Sequence, residues 1–268
     1  MENKCTISVI LPIKSAKAID FDEFFEKCIT SIKNQNGLVD EIVIVHTGED
    51  KLKELLSSYD FGELNVVFKE YEGTPSFAGQ VNAGVNEATS EWISIAEFDD
   101  EYSNIWFKNV RKYMDFYPEI DGFMPIVVDV DDKGVFVGFT NEATFAANFT
   151  NEMGRLDHDT LLTYQNFQLS GIVMRKTSYI KYGMIKESFK LTFGYEFFLR
   201  MTYCDVKFIT IPKIGYKHMN LREGSIFWNY KNGEDKMIED EVRFWIDLAK
   251  KEYLYLKDRE IKYEPQEV

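Results

Sequence analysis

Basic residues, cysteines and long apolar runs are scarce in this sequence, and each scarcity closes off a class of function. Thirty-one Lys and Arg stand against 45 Asp and Glu, a formal net charge of -14, with a sequence pI of about 4.8. A nucleic-acid partner needs a basic face and is therefore disfavoured. Simple docking on an anionic membrane is disfavoured by the same sign of charge. Cys5, Cys28 and Cys204 are odd in number, far apart and without a CxxC pair. That spacing argues against a disulfide framework or a zinc site and for a reducing compartment. No apolar run approaches the ~18 residues of a membrane helix. The run before Pro12 in MENKCTISVILPIKS is about six residues, too short for a secretory h-region. A cytoplasmic location is expected, where the sequon at Asn148 carries no meaning. The sequence has no GxGxxG after its first strand, no GxxxxGK[ST], no HExxH and no GxSxG. Those absences remove dehydrogenase, P-loop, zinc-protease and serine-hydrolase readings at the level of motifs.

What is present is a core. The chain has 268 residues, 45% hydrophobic and 15% aromatic, with 22 Phe and 15 Tyr. This suits one large α/β domain better than two independent ones and argues against disorder. Thr6–Leu11 reads as a buried strand ended by Pro12. Asp20 reads as an N-cap, with Glu23 three residues on. Phe21, Phe24, Phe25, Cys28, Ile29 and Ile32 then fall at helical spacing. Glu41–Val45 is a second strand, Lys51–Ser58 a short helix and Asn65–Lys69 a third strand. Phe77, Val81, Val85 and Ala88 mark a helix before a fourth strand, Trp92–Ala96. Strands alternating with helices predict βαβ units and a mixed, mostly parallel sheet. Ligands of such sheets sit at the carboxyl ends of the strands, after Leu11, Val45 and Ala96.

The second half is less regular. Ile105–Phe116 reads as a helix, Gly122–Val130 and Val135–Phe139 as a strand pair, and Leu169–Met174 and Val206–Ile211 as strands with a helix, Tyr195–Tyr203, between them. Residues 140–168 read as an acceptor-side excursion. Residues 235–256 read as a closing helix with Ile238, Val242, Trp245 and Ala249 on one face.

The sharpest feature follows the fourth strand: Glu97-Phe98-Asp99-Asp100-Glu101, four acids in five residues. Acids gathered at a strand's carboxyl end can hold Mn²⁺ or Mg²⁺, which prefer oxygen ligands and share them with a diphosphate. Without a cation between them they would repel one another.

With this run in place, the sequence resembles the family 2 glycosyltransferases of GT-A fold. SVILPIK resembles the family's opening strand, CITSIKNQ its first helix and EIVIV its second strand. Asn82-Ala-Gly84 with Ala88, followed by WISIAEFDDEY, resembles its helix, strand and acidic motif, and REGS its late donor-side loop. The resemblance runs from Ser8 to about Tyr102 and more weakly to Ser225. It implies a GT-A domain over 1–230, with a nucleotide-binding half at 1–102 and an acceptor half at 103–230. Residues 231–268 are then a C-terminal helix and tail. The implied reaction is inverting, metal-dependent transfer of a sugar from a nucleotide-diphosphate donor, by default a UDP-sugar, to a glycan or lipid-linked acceptor.

The implied roles fall on Asp99 as principal metal ligand, Glu97 facing the metal or ribose, and Asp100 supporting the loop. Pro12, Ile13 and Lys14 would lie against the base, and Asn82 would contact the donor. His46 and Thr47 stand where the family commonly carries an acid, and either can hydrogen-bond a base. Inverting members carry a Glu-Asp pair opening a helix. The matching stretch, FGYEFFLR, has Gly194 at the Asp position, so Glu196 is expected to take the base role. In YKHMNLREGS, His218 can complete a metal shell, Arg222 can clamp the diphosphate, and Lys217 is a second candidate cation. Trp106, Trp228 and Phe227 are candidate stacking residues for a sugar. Two alternatives remain open: a catalytically weak or inactive GT-A-like protein that binds nucleotide or glycan, and a sugar nucleotidyltransferase. The latter is disfavoured because ILPIKSAKA lacks a Gly-rich basic loop.

Overall fold

The computed structural model describes residues 5–18, 20–142 and 154–261. In chain order the elements are β1 (Ile7–Ile13), α1 (Phe21–Lys33), β2 (Glu41–His46), α2 (Asp50–Ser58), β3 (Val66–Glu70), α3 (Phe77–Glu87), β4 (Trp92–Ile95), β5 (Glu101–Tyr102), α4 (Trp106–Phe116), β6 (Gly122–Val130) and β7 (Phe136–Thr140). There follow α5 (His158–Leu161), β8 (Val173–Arg175), α6 (Lys176–Lys181), α7 (Phe193–Tyr203), β9 (Phe208–Met219), α8 (Ile226–Asn232) and α9 (Glu239–Ile261).

The strands form one sheet in the order β3-β2-β1-β4-β8-β6-β9-β5, with β7 on β6. β1, β2, β3 and β4 run parallel. β8 is antiparallel to both β4 and β6, and β9 is parallel to β6. The expected mixed, mostly parallel sheet is what forms. β1 shows why it is buried on both faces. Ile7, Val9, Leu11 and Ile13 join the core under α1 and α4. Ile10 joins the core under α3 and α7. A period-2 strand with no polar face must be covered on both sides.

Several expected boundaries move, each for a physical reason. β1 continues through Pro12, which lies opposite Val45 of β2. The carbonyl of Ile10 accepts from Ala96 N–H, so Pro12, two residues on, faces the same side. β4 accompanies only Ile7–Ile10, and no donor is needed there. Asp20 precedes α1 in a left-handed conformation without a side-chain cap bond. The strand expected at Leu169–Met174 shrinks to β8, because Gly171 turns at φ +79° against the ring of Tyr216. β9 runs on from Ile211 to Met219, its register to β6 slipping between Met124 and Ile126, near Pro125. Residues 143–153 of the expected acceptor excursion lie outside the described residues.

The glycine of Asn82-Ala-Gly84 has a packing role. A Cβ at Gly84 would stand 2.5 Å from Ile10 Cγ2 and 2.9 Å from Val45 Cγ2. Only a glycine lets α3 seat this closely across β1 and β2. Among the described residues no helix is long and apolar enough to cross a membrane.

Candidate active site

β4 delivers the acidic run, and the chain then folds sharply: Asp100 N–H donates to the Glu97 carbonyl at 3.1 Å. β5 pairs antiparallel with β9, Glu101 opposite Lys217. This pairing brings the end of β9 against the acids. Asp100 is 1% exposed. Its carboxylate accepts Met219 N–H at 2.8 Å and the His218 ring at Nδ1, 3.0 Å away. Ser170 Oγ donates to Glu97 Oε1 at 2.5 Å, and Glu97 N–H donates to the Tyr216 hydroxyl at 3.0 Å. Arg222 Nε donates to Asp99 Oδ2 at 2.6 Å. Its guanidinium lies 4.9 Å from the centroid of the Phe98 ring.

The electrostatics follow from this crowding. Burial, and then the charge of Asp100, push the Glu97 carboxyl up to about 7. Asp99 is raised by the same two causes, against the pull of Arg222. Burial alone would lower His218, but Asp100 outweighs it and the ring is pushed up to about 10. Carboxylate and imidazole ligand atoms of Glu97, Asp100 and His218 all lie within 4.8 Å of one another. The expected set of Asp99, Glu97 and His218 is therefore rearranged. Glu97 and His218 come together around Asp100, while Asp99 is engaged by Arg222.

Two cavities meet at Glu97 and Asp99. One is lined by Pro12, Lys14, Lys17, Gln80 and Arg222. The other reaches from Ser170 and His218 to Gly194 and Phe227. Phe77, Ser225 and Ile226 line both. This is the carboxyl-end position that the strand-end rule requires.

Other expected site residues are set elsewhere. Ile13 is fully buried core. His46 is buried, its Nδ1 accepting Gly48 N–H at 3.1 Å, and burial lowers its pKa. Thr47 donates to the Lys14 carbonyl at 2.9 Å. Neither residue lines the two cavities. The Asn82 amide donates to the Ile185 carbonyl and accepts from Ile185 N–H and the Tyr179 hydroxyl. It ties α3 to the segment after α6. Lys217 alternates away from His218 along β9 and meets Glu101 at 2.6 Å. Glu196 is 0% exposed, held by Arg200 and Lys186 at 2.9 Å each. It lines neither cavity, so the base role expected of it finds no geometry here. The residue two before it does face the second cavity: Gly194, where a Cβ would meet only Leu169, at 3.6 Å. Trp106 is core, and of the three candidate stacking residues Phe227 alone lines either of these two cavities.

Two site residues escaped the sequence. Gln80 donates to the Ile13 carbonyl at 3.0 Å and the Val45 carbonyl at 2.9 Å, pinning together the ends of β1 and β2. Its signal was a polar residue beside Val81 on the buried stripe of α3, where a lone amide must find partners. Ser170 fell inside a stretch read as strand, and nothing in its neighbourhood marked it.

The family model described as "Glycosyl transferase family 2" matches residues 8–175. The chain belongs to that family. The match spans β1 to β8 and so includes the acidic run. Among solved structures, the family 2 chain resembles S. aureus TarS. To TarS 1-349 in complex with UDP-GlcNAc the TM-score is 0.62 at 16% identity, over 83% of this chain and 60% of that one. To TarS 1-349 in complex with UDP it is 0.60 at 15%, over 93% and 70%. To TarS 1-349 without a named ligand it is 0.60 at 15%, over 97% and 72%. The chain thus spans 60% of the first of these structures. At such identity the likeness shows the fold, a GT-A-type α/β domain. No functionally curated protein matches the sequence.

Proposed function

We propose that this family 2 chain transfers a sugar from a nucleotide-diphosphate donor, by default a UDP-sugar, to an acceptor hydroxyl with inversion. One observation carries the reading: the half-buried acids Glu97 and Asp99, after β4, border two cavities, and the cations that line the first are Lys14, Lys17 and Arg222. A diphosphate fits that side by charge, and a leaving group needs cations where its negative charge develops. The TarS complexes with UDP-GlcNAc and UDP give the nucleotide by analogy of fold.

The residues fit a divalent cation. Glu97, Asp100 and His218 supply two carboxylates and an imidazole within 4.8 Å of one another, a donor set suited to Mn²⁺ and open to Mg²⁺. Such an ion, when bound, neutralises the departing diphosphate. Arg222, held in place by Asp99 and Phe98, adds a fixed charge beside it. Gln80 keeps the ends of β1 and β2 together so that Pro12 and Lys14 form a wall. With Glu97 given to the cation set, the acceptor proton leaves toward Asp99, the other carboxylate that lines the second cavity among the described residues.

A test is UDP release from UDP-sugars, UDP-GlcNAc and UDP-glucose first, with Mn²⁺. Slow donor hydrolysis is expected, falling about 100-fold in Arg222→Ala. Hydrolysis that is absent for every UDP-sugar, or indifferent to Arg222, contradicts the reading. A second reading, a nucleotide-binding protein without turnover, is favoured by a single feature: Glu196 is sealed in ion pairs and position 194 carries no carboxylate.

A further inference from the structure

The two cavities differ in charge. The donor-side cavity presents Lys14, Lys17 and Arg222. The lining of the other contains neither Lys nor Arg among the described residues. Apart from Glu97, Asp99 and His218, the polar side chains along this second cavity are neutral, among them Gln165, Gln168, Ser170, Thr192 and Asn220. Its one basic ring, His218, is tied to Asp100. Its charged border is the acids Glu97 and Asp99.

The remaining wall is aromatic. Phe77 opens α3, Phe193 opens α7 and Phe227 lies in α8. Phe77 and Phe193 have ring centroids 5.4 Å apart, and Phe193 and Phe227 are stacked at 6.0 Å and 20°. Phe227 is 43% exposed, with the Tyr230 ring edge-on to it at 6.4 Å. An aromatic face beside neutral hydrogen-bonding groups suits the C–H face and hydroxyls of a sugar ring. The one basic ring in the lining, His218, is already paired with Asp100, and the acids Glu97 and Asp99 at the border oppose an anionic group.

We infer that this second cavity receives an uncharged sugar ring of the acceptor, stacked on Phe227, and discriminates against acceptors bearing phosphate or carboxylate at that ring. Its role as acceptor site rests on the proposed transfer, while the selection for a neutral ring rests on the cavity itself.

Saturation-transfer NMR on the full chain tests this, with the methyl β-glycosides of glucose, galactose and N-acetylglucosamine. Methyl glucuronide and methyl glucoside 6-phosphate serve as charged counterparts. UDP with Mg²⁺ is followed separately by its own signals. At least one neutral glycoside is expected to be saturated, with the charged counterparts at least about tenfold weaker. Phe227→Ala, on an exposed ring, weakens the neutral glycoside about fivefold to tenfold. Octyl β-glucoside binding better than the methyl glucoside would assign the ring to a lipid-linked acceptor, and equal binding to a free glycan; both keep the inference. Charged glycosides binding as well as neutral ones, no neutral glycoside binding, or Phe227→Ala without effect overturns it. Glycoside binding without any UDP signal would leave the inference standing and remove the donor reading.

Discussion

Glu196 and Gly194 sit two residues apart at the start of α7 and point to different fates. Glu196 is enclosed with Arg200 on its own helix and Lys186 from the preceding segment. Removing one member of such a network leaves buried charge uncompensated. Glu196→Gln should therefore lower unfolding free energy by about 3 kcal/mol, read as an earlier urea midpoint, while the folded fraction keeps its specific turnover. Unchanged stability with turnover lost would instead make Glu196 the base. Gly194 faces the acceptor-side cavity with ordinary space around its missing Cβ, and an acid in the first turn of α7 also suits the helix dipole. Gly194→Asp should fold normally and raise transfer to an acceptor about tenfold or more, with UDP affinity unchanged. A variant that folds and transfers no faster would show that a carboxylate at 194 is not what limits the reaction.

At the scale of elements, β9 and α3 do most to assemble the site. β9 was legible as a strand only to Ile211; Pro212, Lys213 and Ile214, which follow, are exposed in the middle of the strand. The strand resumes past a register shift that depends on β6, a partner about 90 residues away in sequence, and this resumption carries Tyr216 and His218 to the acids. The βαβ half was legible almost throughout, since each of its strands and helices carries its own period. The acidic run was legible as a candidate, but which acids group together was not. Asp100 meets His218 and Asp99 meets Arg222 through chain contacts more than 115 residues apart, which no local pattern encodes. α3 was legible as a helix, while the reason for Gly84 emerges only from its distance to Ile10 and Val45. Both neighbours are β-branched and stiff at χ1, so Gly84→Ala should lift α3 from the sheet at a cost of about 1–3 kcal/mol. Because Gln80 lies one turn earlier on the same helix, UDP binding should weaken in parallel. A Gly84→Ala protein with wild-type midpoint and wild-type UDP affinity would contradict this coupling.

For the molecule as a whole, one sheet gathers its chemistry at one end. Parallel strands aim their carboxyl ends at a common edge, antiparallel β8 joins β4 to β6, β5 pairs on the outer side of β9, and the acids lie where a cavity lined by Lys and Arg meets one without either. Net charge of -14 keeps the surface acidic, so the affinity for a diphosphate has to come from this local arrangement and from a bound cation. Calorimetric titration of UDP into the intact chain, with Mn²⁺ and again with the metal chelated, tests that most directly. The account predicts saturable one-to-one binding with Mn²⁺ that becomes about tenfold weaker or more without it. UDP binding of equal strength in both conditions, or none in either, would contradict it.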